Sequence, residues 1–307
     1  MRKRKLGNTD LLVSEIGLGC MSLGTDKKQA ETIISAAIDE GINYFDTADL
    51  YDFGINEEIA GHALKKVRDQ VVIATKAGNR WNESKDSWHW DASPSYLKSA
   101  VKDSLKRLGT DYIDLYQLHG GTMEDDIDGV IGAFEELKAE GLIRHYGISS
   151  IRPNVIRQYA EKSSISSVMM QYSLLDRRPE EWMNLLIDNG ISMIARGPVA
   201  KGLLSDKMLD KASSSVKENG YLDYSYEELK DILPGIKEKL SPRNLNETAL
   251  QYVLSHKAVA SVIPGASTVE QLQQNCRAAR AQSLTEEEIV LLKELTKSSK
   301  YEAHRDM

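Results

Sequence analysis

INYFDTADLY, residues 42–51, passes from an apolar run directly into a carboxylate, Asp46, and a phenol, Tyr51. A run this short, rich in Ile, Tyr and Phe, reads as a buried strand that ends near Ala48 and gives way to a loop. Its fold depends on whether the pattern recurs, and it does. EIGLGCM (15–21), QVVIATK (70–76), YIDLYQLH (112–119), IRHYGIS (143–149), ISSVMMQY (165–172), ISMIARG (191–197) and AVASVIPG (258–265) repeat it, which makes eight strands.

Between the runs the period changes to that of helices. In 94–108, Leu97, Ala100, Val101, Leu105 and Leu108 fall on one helical face, with Ser93 as cap, Pro94 at the first position and Gly109 as stop. Segment 26–40 has Asp26 as cap, an apolar face of Ala30, Ile33, Ile34, Ala37 and Ile38, and Gly41 as stop; segment 125–140 ends likewise at Gly141. Eight strands, each followed by helix and joined without a linker, predict an α/β chain folded as a closed (β/α)8 TIM barrel, one domain over residues 1–307. An open doubly wound sheet is the alternative. KRKLGNTDLLVS, before the first run, predicts an N-terminal β-hairpin that plugs the barrel's N-terminal mouth. Two stretches break the rhythm as long loops: the Trp-rich 77–93 after the third strand and the polar 203–226 after the seventh.

The 307 residues are 28% charged and 41% hydrophobic, as in an ordinary globular protein, and carry a net charge of -7. That balance argues against nucleic acid as the main partner, since phosphate binding needs clustered Lys and Arg. The opening MRKRK lacks the apolar core of a signal peptide, and no stretch approaches the roughly 20 apolar residues of a membrane span. Cys20 and Cys276 form no spaced framework. A soluble, cytoplasmic protein is expected, a monomer or a weak homo-oligomer.

Barrel enzymes place their chemistry at the C-terminal ends of the strands. Here those ends carry Asp46 and Tyr51, Lys76, His119, Ser149 and Ser150, Gln171, and Arg196. Taken singly, each is ordinary: a structural histidine, a solvated lysine, a packed tyrosine. Together they suit proton transfer. A phenol ordinarily titrates near pH 10, and an adjacent ammonium favours its phenolate; Lys76 can supply one, with Asp46 as its partner. Tyr51 then donates to a developing alkoxide while His119 orients the same oxygen. The set suits a carbonyl receiving a hydride and lacks a nucleophile with an adjacent base. Metal chemistry would want clustered histidines, and the six are scattered, so no metal is expected.

A hydride needs a carrier. GLGCMSLG (17–24) begins like a dinucleotide fingerprint but has Ser22 at the third glycine position, and reads better as glycines leaving room at the mouth. IPGASTVEQLQQN (263–275) is a Gly-containing loop entering a helix, which is either a phosphate site or an ordinary capped loop.

The ordered set FDTADLY, IATKAG, DLYQLHG, YGISS, MQYSLL and VIPGAS resembles the aldo-keto reductase family over residues 3 to about 295. The resemblance implies a (β/α)8 barrel that reduces aldehydes or ketones with NADPH, NADH being the lesser cofactor, through a tetrad of Asp46, Tyr51, Lys76 and His119. It further implies that Ser149 and Gln171 hold the nicotinamide carboxamide and that Gly197, Pro198, Gly202 and Leu203 pass the pyrophosphate. Gly265, Ala266, Ser267, Gln271 and Asn275 then hold the adenosine end.

The chain departs from the family pattern at three places. Ser150 replaces an Asn that also binds the carboxamide. Arg196 replaces the aromatic residue that commonly stacks on the nicotinamide; a guanidinium also stacks, but it adds a cation beside a ring that is cationic when oxidised. No Lys or Arg lies in 265–267 to meet a 2′-phosphate, which leaves Arg277 and Arg280 to supply the charge or to form a solvated helix face. Trp81, Trp88 and Trp90 either line a pocket for the carbonyl substrate or clasp their loop to the barrel. IPGAS also resembles the potassium-channel β subunits, built on the same barrel, so a cofactor-binding regulatory or redox-sensing subunit is the alternative function.

Overall fold

The computed structural model describes residues 1–305; the last two of the expected 1–307 domain lie outside the described residues. A hairpin of β1 (Lys3–Lys5) and β2 (Leu12–Ser14) precedes a parallel sheet. The sheet runs β3 (Leu18–Gly19), β4 (Tyr44–Asp46), β5 (Val72–Ala77), then, past a second hairpin of β6 (Asn79–Trp81) and β7 (Trp88–Trp90), β8 (Ile113–Leu118), β9 (Ile143–Ser149), β10 (Ser167–Gln171), β11 (Ser192–Arg196) and β12 (Val259–Ile263). The first run is strand only at Leu18–Gly19. It nevertheless closes the ring, because Ile16 bridges Val262 in parallel and the Gly17 N–H donates to the Val262 carbonyl at 2.9 Å. The sheet is therefore a barrel and not an open doubly wound sheet.

The helices form where the period and the caps put them. Asp26 accepts from the Gln29 N–H to start α1 (Lys27–Asp39), and α2 (Ile55–Leu64) follows β4. Ser93 accepts from the Tyr96 N–H to start α3 (Pro94–Leu108), which stops at left-handed Gly109. Then come α4 (Ile127–Ala139), α5 (Pro153–Lys162), α6 (Met183–Asp188), α7 (Ser214–Asn219), α8 (Tyr226–Lys239), α9 (Leu245–Ser255), α10 (Val269–Arg280) and α11 (Glu286–Leu295). Among the described residues, no helix is long and apolar enough to cross a membrane.

Strand alternation divides the core in two. One face of each strand packs under the helices. The other forms a separate cluster inside the barrel: Tyr44, Val72, Ala74, Leu115, Met169, Ile194, Ala260 and Ile263, sealed from below by Leu6, Leu11 and Val13 of the N-terminal hairpin. The hairpin is thus the plug its sequence suggests, each of those three side chains contributing about 1.5–3 kcal/mol of burial. Its basic residues are tied down as well: Arg2 and Arg4 both meet buried Glu15 at 2.8 Å, and Arg4 also donates to the Leu254 and Val259 carbonyls.

The two expected long loops are structured. Within 77–93, β6 and β7 pair antiparallel around a turn in which Asn82 bonds Asp86 and Ser87. The turn chemistry, obscured in sequence by the tryptophans, closes a hairpin. Within 203–226, Ser213 caps α7, and Val216, Tyr221 and Tyr224 bury themselves, enough apolar anchoring to order a segment whose polarity reads as loop.

Candidate active site

Following the inward face of each strand upward leads to the site. Tyr44 is followed by Asp46, Val72 and Ala74 by Lys76, Leu115 and Gln117 by His119, Met169 by Gln171, and Ile194 by Arg196. The period of two that fills the barrel with apolar side chains delivers polar ones at its mouth.

Lys76 is fully buried. Its Nζ donates to Asp46 Oδ2 at 2.6 Å and to the Thr47 carbonyl at 2.8 Å, and lies 3.5 Å from Tyr51 Oη. The Gln117 amide donates to the other Asp46 oxygen at 3.3 Å. Two directions compete in this pair. Burial lifts the Asp46 carboxyl, while for Lys76 burial is outweighed by the Asp46 charge and the Tyr51 contact, so its ammonium is held more tightly than usual. The short contact and the Gln117 donor favour the ion pair.

Tyr51 is carried to this place by backbone pairing beyond β4. The Thr47 and Asp49 N–H groups donate to the Ala74 and Lys76 carbonyls of β5 at 2.9 and 3.1 Å. The turn then winds through left-handed Asp52 and Phe53, with φ of 48° and 52°. The His119 ring meets Tyr51 edge-on, centroids 5.8 Å apart. Burial, then the charges of Lys76 and Arg196, push His119 down to about 3, so it stays neutral near pH 7. The neutral ring donates from one nitrogen only, and Nδ1 is buried without a partner.

A cleft of about 470 Å³ opens beside these groups, walled by Asn79, Trp88, Trp90, His119, Gly120, Thr122, Ser149, Ser150, Arg152, Met169 and Arg196 among others. The tryptophans divide. Trp90 both lines the cleft and clasps: its Nε1 donates to Asp125 at 2.8 Å, and its ring packs so close to Gly78 and Gly120 that a Cβ at either would lie 2.8–2.9 Å from it. Trp88 lines the cleft and is 56% exposed. Trp81 is outside it, packing edge-on against Phe53 and facing a second cavity with Asp49, Tyr96 and Arg107. Trp81 stands opposite Trp88 in the ladder yet lines this second cavity, so it is no lining residue of the cleft.

The cofactor candidates occupy the other side of the mouth. Gln171 Oε1 accepts from Arg196 Nη1 at 3.1 Å, and its amide donates to Asp176 and Tyr221. Ser150 Oγ accepts from the Arg152 N–H at 3.2 Å and closes a turn. Gly197, Pro198, Gly202 and Leu203 form the tight turn after β11; Leu203 points into the core, so this turn offers backbone, open space at Gly202 and an exposed Lys201. After β12, Ser267 gives both its N–H and its hydroxyl to Gln271 Oε1 at 2.9 and 3.1 Å, and Asn275 donates to the Gly265 carbonyl at 3.3 Å. The exposed backbone at Gly265, the open space at Gly202 and the polar side chains of Ser149, Ser150 and Gln171 at the mouth fit an elongated, phosphate-bearing dinucleotide.

Arg280 donates to the carboxylate and carbonyl of Glu40 at 2.6 and 2.7 Å, so a phosphate would have to compete with that pair. Arg277 is exposed on α10. Sequence reasoning missed two exposed cations close by. The Ser22 hydroxyl meets Ala266, and the Gln29 amide donates to the Ser267 carbonyl at 3.1 Å, which brings the start of α1, with Lys27 and Lys28, beside this loop. It also missed Gln117, although its place two residues before His119 on one strand put it on the same face. Asp49 is the third omission: it is 1% exposed, accepts from Tyr96 Oη at 3.0 Å, and is pushed up to about 7 by burial and by the Glu57 charge.

Among the described residues, no three His, Cys, Asp or Glu side chains gather so as to hold a metal. Comparison with known proteins agrees with the geometry. "Uncharacterized oxidoreductase YqkF" of Bacillus subtilis is 61% identical over 99% of this chain and all of its own. The "NADH-specific methylglyoxal reductase" of Escherichia coli is 30% identical over 97% of this chain and 99% of its own. The structure of aldo-keto reductase AKR11C1 from Bacillus halodurans in its holo form superposes with a TM-score of 0.94 at 54% identity, covering both chains completely. The model of the Aldo/keto reductase family matches residues 15–297, and with the tetrad geometry at the mouth of a closed barrel, the chain belongs to that family of nicotinamide-dependent oxidoreductases.

Proposed function

We propose that this protein is an NADPH-dependent reductase of aldehydes or ketones in the cytoplasm, working as a single barrel domain. The observation that carries the reading is Lys76 Nζ, fully buried, held by Asp46 and the Thr47 carbonyl, and 3.5 Å from Tyr51 Oη. A bound nicotinamide supplies the hydride to the carbonyl carbon. Tyr51 gives its proton to the carbonyl oxygen, yielding the alcohol, and Lys76 stabilises the phenolate left behind. His119, neutral, donates a hydrogen bond to the same oxygen and fixes its direction. Asp46 keeps Lys76 charged and in place. Ser149 and Gln171 receive the carboxamide; Ser150, shorter than an Asn, leaves more of that work to them. Gly197, Pro198, Gly202 and Leu203 pass the pyrophosphate, and Gly265, Ala266, Ser267, Gln271 and Asn275 take the adenosine end. Trp88 and Trp90 wall the carbonyl substrate.

NADPH is favoured because Lys27, Lys28 and Arg277 put positive charge around the Ser267 loop although 265–267 hold none. The test is the fall in reduced-nicotinamide absorbance with a panel of aldehydes and ketones, with NADPH and then NADH. Turnover with NADPH ahead of NADH is expected. Tight binding of NADPH without turnover of any carbonyl would overturn the reading in favour of a cofactor-sensing role.

A further inference from the structure

The cleft beside His119 joins apolar walls to a cationic edge. Trp88, Trp90, Ile151 and Met169 give it apolar surface, Arg152 and Arg196 give it positive charge, and no Asp or Glu is among its lining residues. Arg196 donates to Gln171 on the cofactor side. Arg152 lies elsewhere: it also lines the neighbouring cavity formed by the C-terminal segment 298–304, so it stands at the border of the cleft.

Arg152 is half-buried and held in place. Its backbone N–H donates to Ser150 Oγ at 3.2 Å, and its Nη1 donates to the Gly121 carbonyl at 2.5 Å. Gly121 follows His119 by two residues, at most about 7 Å of chain. The guanidinium is therefore fixed a short reach from the histidine that orients the substrate oxygen. Among the described residues, its Nε and Nη2 have no acceptor and its charge has no ion-pair partner. Glu124 feels that charge, but it is exposed and forms no pair with it. The free edge of the fork presents two parallel donors, the pattern that one carboxylate accepts.

We propose that the cleft selects carbonyl substrates that carry a carboxylate, short aliphatic semialdehydes, and that Arg152 holds the carboxylate. This rests on the reductase function proposed above and names its substrate class. The aldehyde lies at Tyr51 and His119, the methylenes pass along Trp88, Trp90 and Ile151, and the carboxylate closes on the free edge of Arg152. Hydride from the reduced nicotinamide and the proton of Tyr51 turn the aldehyde into a hydroxyl, and the carboxylate is unchanged, so the product is an ω-hydroxy acid. A neutral aldehyde of the same length meets the same apolar wall but leaves the guanidinium unpaired.

The experiment compares kcat/KM for succinic and glutaric semialdehydes with kcat/KM for their methyl esters, in the wild-type protein, Arg152→Met and Arg152→Lys. The acid is expected to lead its ester about tenfold or more in the wild type, chiefly through KM. That ratio should fall to about one in Arg152→Met and be partly kept in Arg152→Lys. Equal rates for acid and ester in the wild type overturn the inference and leave the reductase reading intact. So does a loss in Arg152→Met shared equally by acid and ester, which would make Arg152 a structural support of the 119–121 turn. Partial misfolding does not imitate the expected result, because it lowers both rates together. If neither acid nor ester is turned over, the proposed function fails, and calorimetry with γ-hydroxybutyrate decides the carboxylate site separately. Binding weakened about tenfold in Arg152→Met supports that site, and no binding overturns it.

Discussion

The two sides of the barrel mouth are built on opposite principles. On the side of β4, β5 and β8, charge is set against charge in the interior: Lys76 on Asp46, and, in the layer behind, buried Glu57 on Arg107 at 2.7 Å and on the Thr75 hydroxyl at 2.5 Å. On the side of β10, β11 and β12, one buried pair, Asp176 with Arg178, stands behind Gln171, and nearer the surface the bonds run through amides and hydroxyls: Gln171 with Arg196, Ser267 with Gln271, Asn275 with the Gly265 carbonyl. A buried ion pair costs several kcal/mol to break, whereas a neutral hydrogen bond near water is worth about 0.5–1.5 kcal/mol net. The first side has to be in one arrangement at all times; the second can exchange its internal bonds for those of a ligand. Chemistry belongs on the rigid side and binding on the exchangeable one.

The sharpest way to break that contrast is Lys76→Met. It leaves Asp46 buried without its partner, and is expected to cost about 3–5 kcal/mol of stability and to lower kcat for carbonyl reduction about a thousandfold or more. Denaturant melts together with steady-state rates check both. A stable variant with near-normal rates would show that the rigid side is not what the chemistry uses.

Tyr51→Phe comes next. Removing one hydroxyl at a half-buried position leaves the pair and the cleft standing, so reduction should fall about 10²–10⁴-fold while Kd for NADPH stays within a few-fold. Full activity would remove Tyr51 from the role of acid. If cofactor binding collapsed instead, the division between the two sides would be lost.

Asp49 tests how far the rigid side extends. Its carboxyl, near 3.8 when unfolded, is pushed up to about 7 in the fold, so the folded state holds the proton more tightly. The sign follows: this group's contribution is fully present below about pH 4 and is lost as pH rises through 7. Asp49→Asn should therefore flatten the fall in Tm between pH 4 and 7, a difference of up to about 4 kcal/mol by pH 7. An unchanged slope would mean that another group carries that pH dependence.

These residues were unequally legible in the sequence. The eight strands, the plug and the strand-end tetrad could be read because a period of two leaves a regular trace and the barrel brings its strand ends to one mouth. Cys20 and Met21, the end of the first run read as strand, lie in a 3₁₀ turn, Cys20–Leu23, since only Ile16 to Gly19 are needed to close the ring against β12. What could not be read was choice of partner. Arg280 and Arg277 look alike on one helix, and nothing in the sequence says that Glu40, 240 residues away, takes the first. Trp81 and Trp90 are equally aromatic, and nothing in the sequence says that they line different cavities. Asp49 looks like a loop residue until α3 brings Tyr96 against it.

On the exchangeable side the effects are smaller. Replacing Lys27 and Lys28 together by Ala removes charge beside the Ser267 loop and should raise Kd for NADPH about three- to tenfold, with Kd for NADH changed less than twofold. Equal changes for both cofactors would take these lysines away from the 2′-phosphate.

Arg280→Ala should have the smallest effect of all. Its ion pair with Glu40 is partly exposed, the arginine side chain at 44%, and such pairs are worth about 0–1 kcal/mol. Because both bonds of the guanidinium go to Glu40, a 2′-phosphate would have to compete with a carboxylate already in place, so Kd for NADPH and for NADH should each stay within about twofold. A tenfold loss confined to NADPH would mean that Arg280 leaves Glu40 when the cofactor arrives. An ion pair on this side would then be as exchangeable as its neutral bonds, and burial, rather than charge, would be what makes the opposite side rigid.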